Sequence, residues 1–160
     1  SFEPAVRALA ERLRARGWRI AAAESCTGGL LAAACTALAG SSDWFERGFV
    51  TYSNAAKTEQ LGVDAALIAA HGAVSAETAR AMALGAVARS HADLGVAITG
   101  IAGPGGAVPG KPVGTVWLAL ARRGDAQASA SLLQLAGDRA AVREASVGAA
   151  LAALHATAAE

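Results

Sequence analysis

The chain has 160 residues, of which 54% are hydrophobic, 17% charged and only 4% aromatic, and its formal net charge is +1. One domain over 1–160 with a substantial core is expected, and the lack of any Lys/Arg run removes the electrostatic footprint of a nucleic-acid binder. No segment approaches about 18 uninterrupted apolar residues, and Glu3, Arg7, Glu11, Arg12, Arg14 and Arg16 stand where a signal peptide would be apolar, so a cytoplasmic protein with no membrane partner is expected.

From Pro4 to Arg16, Val6, Leu9, Ala10 and Leu13 recur at helical spacing opposite an arginine-rich face, and Gly17 supplies a stop. Trp18 to Ala23 reads as a short buried strand, and Cys26 to Leu38 as a helix closed by Gly40. Ser25 then sits at a strand-to-helix corner, where unpaired N–H groups and the helix dipole favour a developing oxyanion and Gly28 and Gly29 allow close approach to the main chain. A Ser25 or Thr27 that merely caps the helix is the commoner use of such a pattern. On this reading Cys26 and Cys35 lie nine positions apart on one helix, about 13 Å, too far for a disulfide; reduced thiols fit the expected compartment.

Glu46 to Ser53 holds the β-prone run Phe49-Val50-Thr51-Tyr52, and Asn54 is placed to cap a short helix carrying Lys57. Asp64 to Ala70 and Ala76 to Ser90 read as helices, the latter capped by Ser75, and Leu94 to Thr99 as a third buried strand. Gly100 to Pro112 contains five glycines and three prolines and reads as a binding loop. Val113 to Ala121 and Ala128 to Leu135 are strands around a turn at Arg122 to Asp125, and Asp138 to His155 is the closing helix. The expected fold is a three-layer α/β/α domain with a mixed, mostly parallel five-stranded sheet whose fourth strand runs antiparallel. Ligands gather beyond the carboxyl ends of parallel strands in such sheets, which is where Ser25, Tyr52 with Asn54, and Thr99 with the glycine loop all fall. That convergence favours a chemical role for Ser25.

A serine needs a neighbouring base. His71, His91 and His155 lie away from the strand-end edge, so a Ser-His-Asp triad is disfavoured, and no His/Cys cluster has metal-ligand spacing. Lys57 is the better base, because the first turn of a helix disfavours an ammonium and burial depresses its pKa further. Tyr52 can relay the proton or bind substrate, and Cys26 is an alternative nucleophile if a helix N-terminus lowers its thiol pKa. The backbone of Thr99-Gly100-Ile101-Ala102-Gly103-Pro104-Gly105-Gly106 can nest an anion, although the segment lacks a Walker ending and a dinucleotide fingerprint. Arg139 and Arg143, one helical turn apart, can grip a phosphate.

Taken together, Ala-Glu-Ser-Cys-Thr-Gly-Gly at 23–29, Val-Thr-Tyr-Ser-Asn-Ala-Ala-Lys at 50–57, Gly-Ala-Val-Ser at 72–75, Thr-Gly-Ile-Ala-Gly-Pro-Gly-Gly at 99–106, Lys-Pro-Val-Gly-Thr-Val at 111–116 and Gly-Asp-Arg at 137–139 resemble the CinA C-terminal domain family, the nicotinamide-nucleotide amidases. The resemblance covers nearly the whole chain. It implies hydrolysis of the carboxamide of nicotinamide mononucleotide, a small-molecule nucleotide substrate, with no metal and no organic cofactor, in a dimer or higher homo-oligomer. On matching positions it implies Ser25 as nucleophile, Lys57 with Tyr52 as proton-handling partners, the backbone of Thr27 to Gly29 as oxyanion donors, and the Thr99 to Gly106 loop as nucleotide holder. Cys26, Asn54 and Arg139 are further candidate substrate contacts. The segment Ala107-Val108-Pro109-Gly110 departs from the family's glycine- and acid-containing loop, and no counterpart of the N-terminal domain of many CinA proteins, with its pyrophosphatase activity, is expected here.

Overall fold

The computed structural model describes residues 1–160, running in order α1 (Glu3–Arg16), β1 (Ile20–Glu24), α2 (Leu30–Thr36), a 3₁₀ turn (Ser41–Asp43), β2 (Phe45–Val50), α3 (Asn54–Leu61), α4 (Ala65–His71), α5 (Ala76–Ala88), β3 (Leu94–Gly100), β4 (Thr115–Arg122), β5 (Ser129–Gln134) and α6 (Arg139–Ala158). The strands form one sheet in the order β2-β1-β3-β4-β5. β1 is parallel to β2 and β3, and β4 is antiparallel to both β3 and β5, so β4 alone opposes the rest. This is the predicted mixed α/β sheet.

Period-two alternation sorts the strand residues onto two unlike faces. Ile20, Ala22, Leu94, Val96, Ile98, Val116, Leu118 and Leu120 share a core with α1, α2 and α6. Ala21, Ala23, Ala97, Ala119 and Ala121 face α5, with Leu61 of α3 and Ile68 of α4 behind it. That small-residue face brings α5 close: a Cβ on Gly95 would lie 2.8 Å from Ala83 O. The alanine-rich composition is thus the means by which a helix layer packs tightly against the sheet.

Two predicted helix starts are corrected. α2 begins at Leu30 rather than Cys26, because Gly28 (φ 55°) and Gly29 (φ 102°) hold a left-handed backbone that cannot be helical. α3 is capped by Ser53, whose side chain accepts from the Ala56 N–H, so Asn54 is its first helical residue rather than its cap. Helix caps Asp64, Ser75 and Asp138 precede α4, α5 and α6, each accepting a backbone N–H. No helix is long and apolar enough to cross a membrane.

Candidate active site

Because β1 and β3 pair in register, with Glu24 opposite Ile98, their carboxyl ends place Ser25 beside Thr99 and Gly100. The Ser25 N–H extends the ladder by donating to Ile98 O at 2.9 Å, and its carbonyl accepts from Gly28 N–H at 3.0 Å, which closes a turn. Ser25 is not at the N-terminus of α2, contrary to expectation, because α2 begins only at Leu30. The Leu30 N–H donates to Thr27 O at 3.0 Å and the next two N–H groups of α2 go to the Glu24 carboxylate, Leu31 N–H at 2.9 Å and Ala32 N–H at 3.0 Å, with the Thr27 hydroxyl donating to the same carboxylate at 2.6 Å. Glu24 is 1% exposed, so this buried anion is matched by three donors, as its burial demands.

Lys57 comes from the far side of the same corner. Thr51 N–H donates to Glu24 O at 2.9 Å, carrying the β2 chain alongside β1 before it turns into α3. Lys57 is 1% exposed, and its Nζ lies 3.0 Å from Ser25 Oγ, 2.8 Å from Thr51 O and 3.1 Å from Tyr52 O. Burial pushes its pKa below the usual 10.5, with the Cys26 thiol acting weakly the other way, and no carboxylate forms an ion pair with it. The three oxygen neighbours of Lys57 accept from Nζ, the two carbonyls because they can only accept; once the amine is neutral, two N–H groups still serve the carbonyls and the lone pair is free to take the Ser25 O–H. Ser25 Oγ and Lys57 Nζ therefore lie within the distance that a proton transfer needs.

The Cys26 thiol is raised by burial to about 11 and stays protonated near neutrality, so the alternative nucleophile loses its premise of a lowered pKa. The other cysteine, Cys35, is likewise raised by burial, to about 12.

A cavity of about 280 Å³ opens over this pair. Ser25, Cys26, Tyr52, Lys57, Thr99, Gly100, Ile101, Ala102, Gly103, Gly105 and Arg139 all border it, as do Ala73, Val74 and Gly106. Arg139 donates to Gly103 O at 2.8 Å and to the Tyr52 hydroxyl at 3.4 Å, bridging the glycine loop to the opposite rim. Tyr52 is 63% exposed; its carbonyl, not its phenol, meets Lys57. Thr27, Gly28 and Gly29 do not border the cavity, and Gly28 and Gly29 shape the turn rather than admit a ligand. Asn54, as the first residue of α3, borders a separate depression between α3 and α4.

Sequence reasoning missed two residues here. Ala73 and Val74 belong to the α4–α5 corner, tied in by Thr99 Oγ1 donating to Ala73 O at 2.8 Å. Arg143, considered for a phosphate, instead donates to Cys26 O (3.2 Å) and Thr27 O (3.1 Å). The divergent segment 107–110 forms a tight turn closed by reciprocal hydrogen bonds between Val108 and Lys111. His71, His91 and His155 do not border the cavity, and no group of three or more His, Cys, Asp or Glu side chains could hold a metal ion.

Residues 3–158 match the CinA C-terminal domain family. The chain is 53% identical over 131 residues to the nicotinamide-nucleotide amidohydrolase PncC of Enterobacter agglomerans, covering 82% of this chain and 79% of that protein. It is 57% identical over 135 residues to a CinA-like protein of Citrifermentans bemidjiense, covering 84% of this chain and only 32% of that longer protein. The crystal structure of a CinA superfamily protein from Klebsiella pneumoniae superposes with a TM-score of 0.94 at 41% identity, covering 99% of this chain and 98% of the other.

Proposed function

The chain belongs to the CinA C-terminal domain family, and on that premise we propose that it is a nicotinamide-nucleotide amidase, hydrolysing the carboxamide of nicotinamide mononucleotide to nicotinate mononucleotide and ammonia. The name of its Enterobacter agglomerans relative supports the substrate class. The observation that carries the chemistry is the buried Lys57 amine 3.0 Å from Ser25 Oγ.

In this reading Ser25 Oγ attacks the carboxamide carbon while its proton passes to Lys57 Nζ. The carbonyl π-electrons move onto oxygen, and the oxyanion is met by the N–H of Cys26, the residue of the turn after Ser25 that borders the cavity. Collapse expels the amide nitrogen, which takes the proton from the Lys57 ammonium and leaves as ammonia. A water then attacks the ester carbon, giving its proton to Lys57, and the Ser25 oxygen leaves as the alcohol after recovering that proton. Lys57 alternates between base and acid without net change. The Thr99 to Gly106 loop holds the nucleotide, and the Arg139 guanidinium at the cavity edge suits its phosphate. Tyr52, whose phenol meets Arg139, acts at the rim of the cavity.

The test is ammonia release from nicotinamide, its riboside and its mononucleotide by the purified full chain. The mononucleotide is expected to be turned over best, and S25A to lose activity by at least roughly 1,000-fold. Full ammonia release by S25A would overturn the assignment. Tight binding of the mononucleotide with no turnover by the native chain would make it a nucleotide-binding module instead.

A further inference from the structure

We propose that Arg143 is a positioning residue for Ser25, acting through the two peptide groups that follow it; this rests on the serine-amidase reading above. Arg143 does not border the cavity. From its place on α6 its Nε donates to Cys26 O at 3.2 Å and its Nη2 to Thr27 O at 3.1 Å. One planar fork thus holds two successive carbonyls, a task a guanidinium performs and an ammonium does not.

The consequence follows from the trans peptide, in which C=O and N–H point to opposite sides. With the Cys26 and Thr27 carbonyls drawn toward α6, the N–H groups of Thr27 and Gly28 are turned away from it. The Gly28 N–H closes the turn onto Ser25 O at 3.0 Å, while the N–H groups of Cys26 and Thr27 donate to no other group of the chain. Thr27 is gripped from the other side as well, its hydroxyl donating to the buried Glu24 carboxylate at 2.6 Å. The turn bearing the nucleophile is therefore suspended between an anion on β1 and a cation on α6.

Without the guanidinium, Cys26 O has no donor left in the chain, whereas Thr27 O keeps the Leu30 N–H at 3.0 Å, so the Cys26–Thr27 peptide is the one released to turn over. A flip takes the Cys26 carbonyl off the guanidinium and turns it toward the side on which Cys26 borders the cavity, so that a carbonyl oxygen faces the reacting carboxamide oxygen as it gathers negative charge. That repulsion grows toward the transition state and is small in the substrate complex, so it falls on kcat and not on KM. A phosphate-gripping Arg143 would show the opposite split.

Steady-state ammonia release on nicotinamide mononucleotide by R143A, R143K and S25A tests this. For R143A, kcat is expected to fall on the order of 10- to 100-fold, with KM within about twofold of the native value. R143K should fall between, because its ammonium reaches one carbonyl at a time. The acid limb of the pH profile should stay in place, since Arg143 does not touch Lys57. An unchanged kcat in R143A, or a raised KM at unchanged kcat, overturns the inference. If R143A melts below the assay temperature, R143K decides, and an unchanged kcat there is equally fatal. Activity surviving in S25A would sink the serine-amidase reading itself, whereas an inactive S25A beside an unimpaired R143A sinks only the role of Arg143.

Discussion

Ser25 Oγ and Lys57 Nζ, separated by 32 positions along the chain, stand 3.0 Å apart in a region that water barely reaches. Burial holds the lysine below the usual 10.5, and activity should require the neutral amine. The kcat/KM profile is therefore expected to rise with pH through an apparent pKa below 10.5, the ordinary value for lysine. A rate independent of pH across that range would remove Lys57 from the role of base.

The same shift has a thermodynamic sign. Below the lowered folded-state pKa both folded and unfolded Lys57 carry the proton, and folding bears the full cost of burying the charge. Between the folded value and 10.5 the unfolded chain binds more protons, so stability rises with pH across that window. K57M, similar in length and uncharged, is expected to abolish turnover, the relief of a buried charge being offset by Thr51 O and Tyr52 O left without a donor. It should also flatten the rise of stability with pH. Thermal melts of native and variant chains at several pH values check the flattening.

Glu24 is the second buried ionisable group at the corner, and its carboxylate is met only by donors: the Thr27 hydroxyl, Leu31 N–H and Ala32 N–H. E24Q places an amide NH₂ where these donors need an acceptor, and is expected to cost about 2–4 kcal/mol. T27V removes one donor and should cost about 1–2 kcal/mol. Because the two share one bond, the double variant should lose clearly less than the sum, measured by urea unfolding. Strict additivity would mean that the Thr27 hydroxyl contributes nothing through Glu24.

Why the sheet was legible from sequence and this corner was not follows from where the information lies. Strands such as Leu94–Gly100 declare themselves by unbroken apolar runs, and caps such as Ser75 and Asp138 sit next to the helices they start. The cap of α2 is a glutamate on the preceding strand, reached across a turn of two left-handed glycines, and local capping rules do not look there. Ser53 and Asn54 are adjacent and chemically equivalent as caps, so a one-residue error moved Asn54 away from the cavity. Lys57 remained recognisable because its burial follows from a helix that has to pack inward whichever of the two caps it. Ala73 and Val74 carry no functional groups, and only the long-range bond from Thr99 to Ala73 O brings them to the site.

The placement of Lys57 depends on how closely α3 packs on α5. A Cβ on Gly85 would lie 2.1 Å from Leu61 O, the last residue of α3. Alanine would be favoured by about 1 kcal/mol in an exposed helix, yet G85A is expected to destabilise by about 1–3 kcal/mol by overpacking. Pushing α3 outward also lengthens the approach of Lys57 to Ser25, so kcat should drop in the fraction that remains folded. Urea unfolding with parallel ammonia release measures both, and a stabilised, fully active G85A would show that the two helices part without disturbing the site.

Arg139 faces a different demand from Arg143, although both lie on the first turns of α6. It borders the cavity, pinned by Gly103 O at 2.8 Å and the Tyr52 hydroxyl at 3.4 Å, and its remaining donors are free for an anionic ligand. A charge-assisted contact of this kind amounts to about 1.5–3 kcal/mol, so R139A should raise KM for the mononucleotide on the order of 10-fold or more while leaving kcat nearly intact. The riboside has no phosphate, and its KM should not respond. Y52F removes the phenolic acceptor that helps aim the guanidinium, and a smaller rise confined to the mononucleotide is expected. Equal losses on riboside and mononucleotide would move Arg139 from the phosphate to the ribose or the ring, because only a phosphate contact separates the two substrates.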